Sequence, residues 1–275
     1  MLRVFVDTGS SIKFEEKEKY NVEILPLKIL MADEEYLDGV TLSIEEFYNK
    51  LFATKKIPKT SLPGLEDVKA QVEKFTNAGD DVLILTISGE ISGSFNAIKL
   101  LFEDNKKVRV FDSRLAVGGI RILVEEINRN RDKSLDEIEE KLKNLIPRVK
   151  ILAIPETLEY LMRGGRLSKT EWLLGTVLKI KPIITFRDGK VCVDAKKIGI
   201  KHSMKYIVSE LDRLGVDENY PIIASYTYKD QNLKNLIEMT DKKYLPQMSQ
   251  FDNLDPAIAA HWGPNAFGYI FVTKN

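Results

Sequence analysis

The chain has 275 residues, and its 41 lysines and arginines balance 41 aspartates and glutamates for a formal net charge of +0, which argues against a nucleic-acid binder that works through a generally basic surface. One cysteine, Cys192, excludes an intramolecular disulfide and a cysteine metal cluster, and no apolar run approaches the ~20 residues of a membrane span. The opening "MLRVFVDTGSS" is too short in apolar residues for a signal peptide, so the expectation is a cytoplasmic protein with no stable membrane insertion, no nucleic-acid partner, no metal and no cofactor.

In chain order, Leu2–Val6 reads as a strand ending at Asp7 in a turn-rich Thr-Gly-Ser-Ser, and Val22–Leu30 as an extended stretch interrupted by Pro26. Ser43 with Glu46 makes a capping box that opens a helix over "SIEEFYNKLF", and "LEDVKAQVEKFTNAG" predicts an amphipathic helix closed by Gly79. A strand at Val82–Ile87 and a helix after Ser92, with Phe95, Ile98, Leu101 and Phe102 at helical spacing, follow. A strand at Val108–Phe111 then ends in Asp112-Ser113, and this alternation implies a parallel α/β sheet. After a capped helix over "SLDEIEEKLKNLIPRVK", the strand Ile151–Pro155 opens a second unit. There we expect a hairpin over Pro182–Ile198 turning at Asp188-Gly189, a helix at Ser203–Leu214 and a strand at Pro221–Ser225. A helix at Gln231–Met239 and a final strand at Gly268–Val272 complete it. The reading is two α/β domains, 1–149 with a mainly parallel sheet and 150–275.

Three strands end in small polar groups: Asp7 to Ser10, Ser88-Gly89 with Ser92-Gly93-Ser94, and Asp112-Ser113. A fourth such group, "KTSLPG" with Thr60 and Ser61, precedes a helix. Free N–H groups at a helix start favour an anion and hydroxyls add donors, although Ser92 and Thr60 also suit plain helix caps. The phosphate-loop, dinucleotide and esterase-elbow patterns are each unmet around Gly89 and Gly93. Of the two histidines, His261 lies in "AAHWGPNAFG", where it is a structural donor, a donor to a carboxylate, or a general base toward Ser92. "LEYLMRGGRLSK" carries Arg163, Arg166 and Lys169 as a basic rim for an anion or an acidic partner, with Ser168 as a cap, and "EWLLGTVLKIKPIITF" is apolar on most faces.

Seven strings in order resemble the DegV family of fatty-acid-binding proteins: "DTGSS", "KTSLPG", "SGEISGSFNA", "FDSRLAVGG", "LEYLMRGGRLSK", "IKPII" and "HWGPNAFG". The resemblance implies two α/β domains with an elongated acyl-chain pocket between or within them. It implies that Thr60, Ser61, Ser92, Gly93 and His261 hold the carboxylate of a long-chain fatty acid, with Arg166 matching the arginine of the GGR motif at the pocket mouth; Arg163 joins it as an anion or partner contact on the residue reading alone. It further implies a carrier, not an enzyme, that acts with or without a fatty acid kinase to which it presents the acid. Leu62, Gly64 and Asn265 depart from the family pattern, and Gly199 stands where an arginine is expected. The alternative from the residues themselves is an acyl hydrolase or transferase using Ser92 with His261.

Overall fold

The computed structural model describes residues 1–168, 179–248 and 250–274; Lys169 and most of the apolar segment that follows it lie outside the described residues. The chain divides into two compact units, Met1–Ile146 with Asp255–Ile258, and Pro147–Leu254 with Ala259–Asn275. The short segment Asp255–Ile258, which the sequence reading assigned to the second domain, belongs with the first unit.

The first unit runs β1 (Leu2–Asp7), α1 (Lys17–Tyr20), β2 (Glu23–Leu25), β3 (Lys28–Met31), β4 (Glu34–Leu37), α2 (Ile44–Thr54) and β5 (Lys59–Ser61). It continues through α3 (Leu65–Asn77), β6 (Asp81–Thr86), α4 (Ser94–Leu101), β7 (Val108–Asp112), α5 (Gly118–Arg129) and α6 (Leu135–Leu145). A four-stranded sheet of order β2-β1-β6-β7 is parallel throughout. Its central strands carry the continuous buried apolar runs Val4–Val6 and Val82–Leu85 because both of their faces are covered there. Phe5, Val82 and Ile84 pack on one side with Val68 and Val72 of α3 and Ile98 of α4. Burial of this kind is worth about 1.5–3 kcal/mol per large side chain.

Pro26 splits the stretch read as one extended segment: β2 joins the parallel sheet, while β3 turns into a separate antiparallel sheet of order β4-β3-β5. Thr60 sits on β5 opposite Ile29, which is fully buried. The capping box at Ser43 forms as expected, Ser43 Oγ accepting from the Glu46 N–H.

The second unit contains β8 (Val149–Ile154), α7 (Glu159–Arg163), β9 (Ile180–Arg187), β10 (Lys190–Ile198), α8 (Ile200–Leu214) and β11 (Ile223–Tyr226). Then come α9 (Gln231–Glu238), β12 (Gln250–Asn253), α10 (Pro256–Trp262), which starts in the first unit, and β13 (Phe267–Val272). Its sheet, β10-β9-β8-β13-β11-β12, is antiparallel except where β12 lies parallel to β11. The predicted hairpin turns at Asp188 and Gly189, with φ of 50° and 80°, the two positive values that a tight right-twisting turn needs. Among the described residues, no helix is long and apolar enough to cross a membrane.

Candidate functional site

In the parallel sheet the chain leaves β1 on one side for β2 and returns on the other for β6. The carboxyl ends of β1 and β6 therefore form the switch point where open α/β sheets bind ligands. The loops that meet there are tied together through backbone N–H groups. Asp7, at the end of β1, accepts from Gly9 through Oδ1 and from Ile87 through Oδ2, both at 3.0 Å. Asp112, at the end of β7, accepts through Oδ1 from Gly89 at 3.0 Å and from Arg114 at 2.8 Å. The Ser88 N–H donates to the Leu115 carbonyl at 2.9 Å, and the Val117 N–H to the Gly9 carbonyl at 2.7 Å.

Counting donors along the serine loop isolates one group. The N–H groups of Glu90, Ile91 and Ser92 all turn back on Ser88, to its hydroxyl or its carbonyl, and the Ser94 N–H donates to Ser92 Oγ at 3.2 Å. With Ile87, Ser88 and Gly89 already paired, Gly93 carries the one N–H between residues 87 and 94 that has no partner among the described residues. Gly93 is exposed and is the residue before the first turn of α4, so this N–H belongs to the positive end of the helix. Of the two expected caps, Ser92 takes one first-turn donor of α4, the Ser94 N–H, although Gly93 is the residue directly before the helix, whereas α3 is preceded by Gly64 while Thr60 lies in a strand.

Ser92 Oγ also lies 3.0 Å from Ser94 Oγ. The KTSLPG loop approaches this point, since Leu62 Cδ2 is 3.8 Å from where a side chain on Gly93 would begin. Along β5, Thr60 is half-buried and its neighbours Lys59 and Ser61 are exposed, so Thr60 and Ser61 take opposite faces of the strand. A hollow of about 380 Å³ opens beside Pro63 and Gly64. Leu25, Pro26 and Val68 line it, but Asp67 and Gln71 at its rim are exposed, so it is a surface feature and not a dry chamber.

Two buried carboxyls stand at the same end of the first unit. Complete burial pushes Asp7 up to about 7 against the pull of its two N–H donors. Burial, then the nearby Asp255 charge, pushes Asp38 up to about 8, while Asp38 Oδ1 accepts from the Ala257 N–H at 3.2 Å and Lys13 pairs with Asp255.

In the second unit, the GGR and HWGPN strings pack on each other. A methyl on Gly164 would run into the His261 ring at Nδ1, and one on Gly263 would run into the Tyr160 ring. Arg166 is half-buried and donates to the Gly164 carbonyl. Burial, with the Arg166 charge adding to it, pushes His261 down to about 3, so the ring is neutral. Arg163 is exposed and forms an ion pair with Glu159 at 2.7 Å, and Lys169, the third residue of the expected basic rim, lies outside the described residues. Asn265 takes the left-handed conformation at φ 61° that a glycine would adopt there. Gly199, at φ 80°, precedes α8 in a conformation that suits glycine and not arginine.

Sequence reasoning missed Asp7 and Asp112 as loop holders, although each is the acidic residue that ends an apolar strand run. Among the described residues, no group of three or more His, Cys, Asp or Glu side chains is placed to hold a metal. Fold and site together define an α/β protein with hydroxyl and amide donors gathered at the switch point of a parallel sheet. The chain belongs to the DegV family: the family model described as "Uncharacterised protein, DegV family" matches residues 1–274. A DegV domain-containing protein of Clostridium acetobutylicum is 29% identical over 279 residues, covering 99% of both chains. Among solved structures, a DegV family protein from Thermus thermophilus, described by its fatty acid binding, is similar at 25% identity and a TM-score of 0.88 over 99% of each chain. A fatty acid binding DegV family protein from Streptococcus agalactiae is similar at 25% identity and 0.88, over 100% of this chain and 99% of the other.

Proposed function

We propose that this protein is a cytoplasmic carrier that binds a long-chain fatty acid and performs no chemistry on it. The observation that carries the reading is the unpartnered Gly93 N–H at the start of α4, beside the Ser92 hydroxyl and next to the loop that bears Thr60. In this reading the carboxylate accepts from Gly93 N–H, Ser92 and Thr60, and the helix start supplies favourable partial charge without a full cation. A long acyl tail contributes roughly 10 kcal/mol at about 0.8 kcal/mol per methylene before association costs, so the tail supplies affinity and the anchor supplies orientation. The fatty-acid-binding relatives from Thermus thermophilus and Streptococcus agalactiae support this choice of ligand.

Two observations favour binding over hydrolysis. Among the described residues the Ser92 hydroxyl is engaged with Ser94 and not with a base, and a histidine held neutral down to about pH 3 is a poor proton acceptor near neutral pH. Presentation of the bound acid to a fatty acid kinase is part of the same proposal, with Arg166 as the contact and without an arginine at 199. Denaturing mass spectrometry of the purified protein tests the reading: a bound long-chain acid is expected. Ser92→Ala is expected to rebind delipidated acid more weakly by about 1–3 kcal/mol. Covalent labelling of Ser92 by a fluorophosphonate, with ester turnover, would replace the carrier with a hydrolase.

A further inference from the structure

We propose that Asp112, seconded by Asp7, is a positioning residue for the carboxylate anchor: it sets the shape of the serine loop, and through it the ligand affinity, without touching the ligand. The inference deepens the fatty-acid reading and rests on it. The loop from Ile87 to Gly93 is pinned from outside at three consecutive residues. Asp7 takes the N–H of Ile87, the Leu115 carbonyl takes that of Ser88, and Asp112 takes that of Gly89. Beyond Gly89 every donor up to Ser92 closes back on Ser88, so residues 90 to 92 form one tight turn whose direction follows from where Gly89 is held.

Asp112 is also seated for this task sterically. Its Oδ2 is 3.1 Å from where a side chain at Gly89 would begin and Phe95 Cδ1 is 3.2 Å from it, so an added methyl there is crowded by the carboxylate and by the ring. Asp112 and Asp7 are both acidic, a poor choice near an anion site on charge alone. The backbone donors they hold account for their presence. Holding the loop before the ligand arrives spares the ordering cost at binding.

The oxygen count gives a discriminating test. Asp112 uses Oδ1 alone for both of its N–H donors, so an amide can replace the carboxylate there without losing either bond. Palmitate affinity, measured by displacement of a fluorescent fatty acid, is expected to weaken about tenfold in Asp112→Ala and to stay near the unchanged protein in Asp112→Asn. Amide exchange of the ligand-free protein is expected to speed up at Gly89 in Asp112→Ala and not in Asp112→Asn. Gly89→Ala, which crowds the same carboxylate, is expected to behave like Asp112→Ala. Equal palmitate affinity in Asp112→Ala and the unchanged protein overturns the proposal, as does loss in Asp112→Asn to the level of alanine. Failure of the unchanged protein to bind palmitate removes the fatty-acid reading by itself. The exchange measurement then still decides the role of Asp112, which is lost if Gly89 stays equally protected without it.

Discussion

The ring of His261 occupies the space that a side chain on Gly164 would need, so two strings almost a hundred residues apart are built around one another. A glycine here is a matter of volume, not of backbone freedom, since Gly164 has an ordinary right-handed helical φ of −71°.

Gly164→Ala is therefore expected to destabilise the protein by about 1–3 kcal/mol through overpacking against His261. Chemical denaturation measures it. A loss below a few tenths would show that the ring yields at little cost.

His261 makes stability sensitive to acid. Its folded value of about 3 lies below the ordinary 6.5, so between these the unfolded chain holds the extra proton. The contribution is whole above pH 6.5, fades as pH falls toward 3, and amounts to at most about 4–5 kcal/mol. His261→Gln is expected to flatten the stability curve in that window, as read by urea melts at a series of pH values.

Asp38 acts in the opposite direction. Its folded value of about 8 lies above the ordinary 3.8, so the folded state holds the extra proton and stability declines as pH rises from about 4 to about 8. Asp38→Asn keeps an acceptor for the Ala257 N–H and has no charge to bury, and it is expected to lose this decline. The same melts carried above pH 8 check it; an unaltered slope would mean that Asp38 titrates normally.

Gly93 offers a direct probe of the anchor. Its φ of −73° suits proline, which deletes the N–H, while alanine keeps the N–H and meets only an ordinary contact with Leu62. Gly93→Ala is expected to bind fatty acid like the unchanged protein and Gly93→Pro about tenfold more weakly, with melting temperatures compared alongside. Equal affinities in the two variants would take the backbone donor out of the site.

Much of the frame was legible from local signals. The strands Leu2–Asp7 and Asp81–Thr86 announce themselves as apolar runs, and the capping boxes at Ser43 and Ser134 and the Asp188-Gly189 turn each carry their own short-range chemistry. The strands β4, β5 and β12 are only three or four residues long, and α5 begins without a side-chain cap, so little in their own composition marked them; α10 does carry a start signal, Asp255 before Pro256, that the sequence reading passed over. The sharpest error was Val22–Leu30: a proline in an extended stretch says that pairing breaks there, but not that the two halves go to different sheets.

For the site, residue type and order alone determined that hydroxyls and glycines would stand at strand ends, because strand periodicity and small-residue turns are local properties of the chain. Only the tertiary structure decided that the Gly93 N–H has no partner among the described residues while its neighbours spend theirs, that Thr60 and Ser61 face apart, and that Arg166 turns to the Gly164 carbonyl while Arg163 pairs with Glu159. Those outcomes depend on which strand lies beside which and on where each donor finds an acceptor, and a hydrogen bond between residues 89 and 112 leaves no trace in the spacing of either.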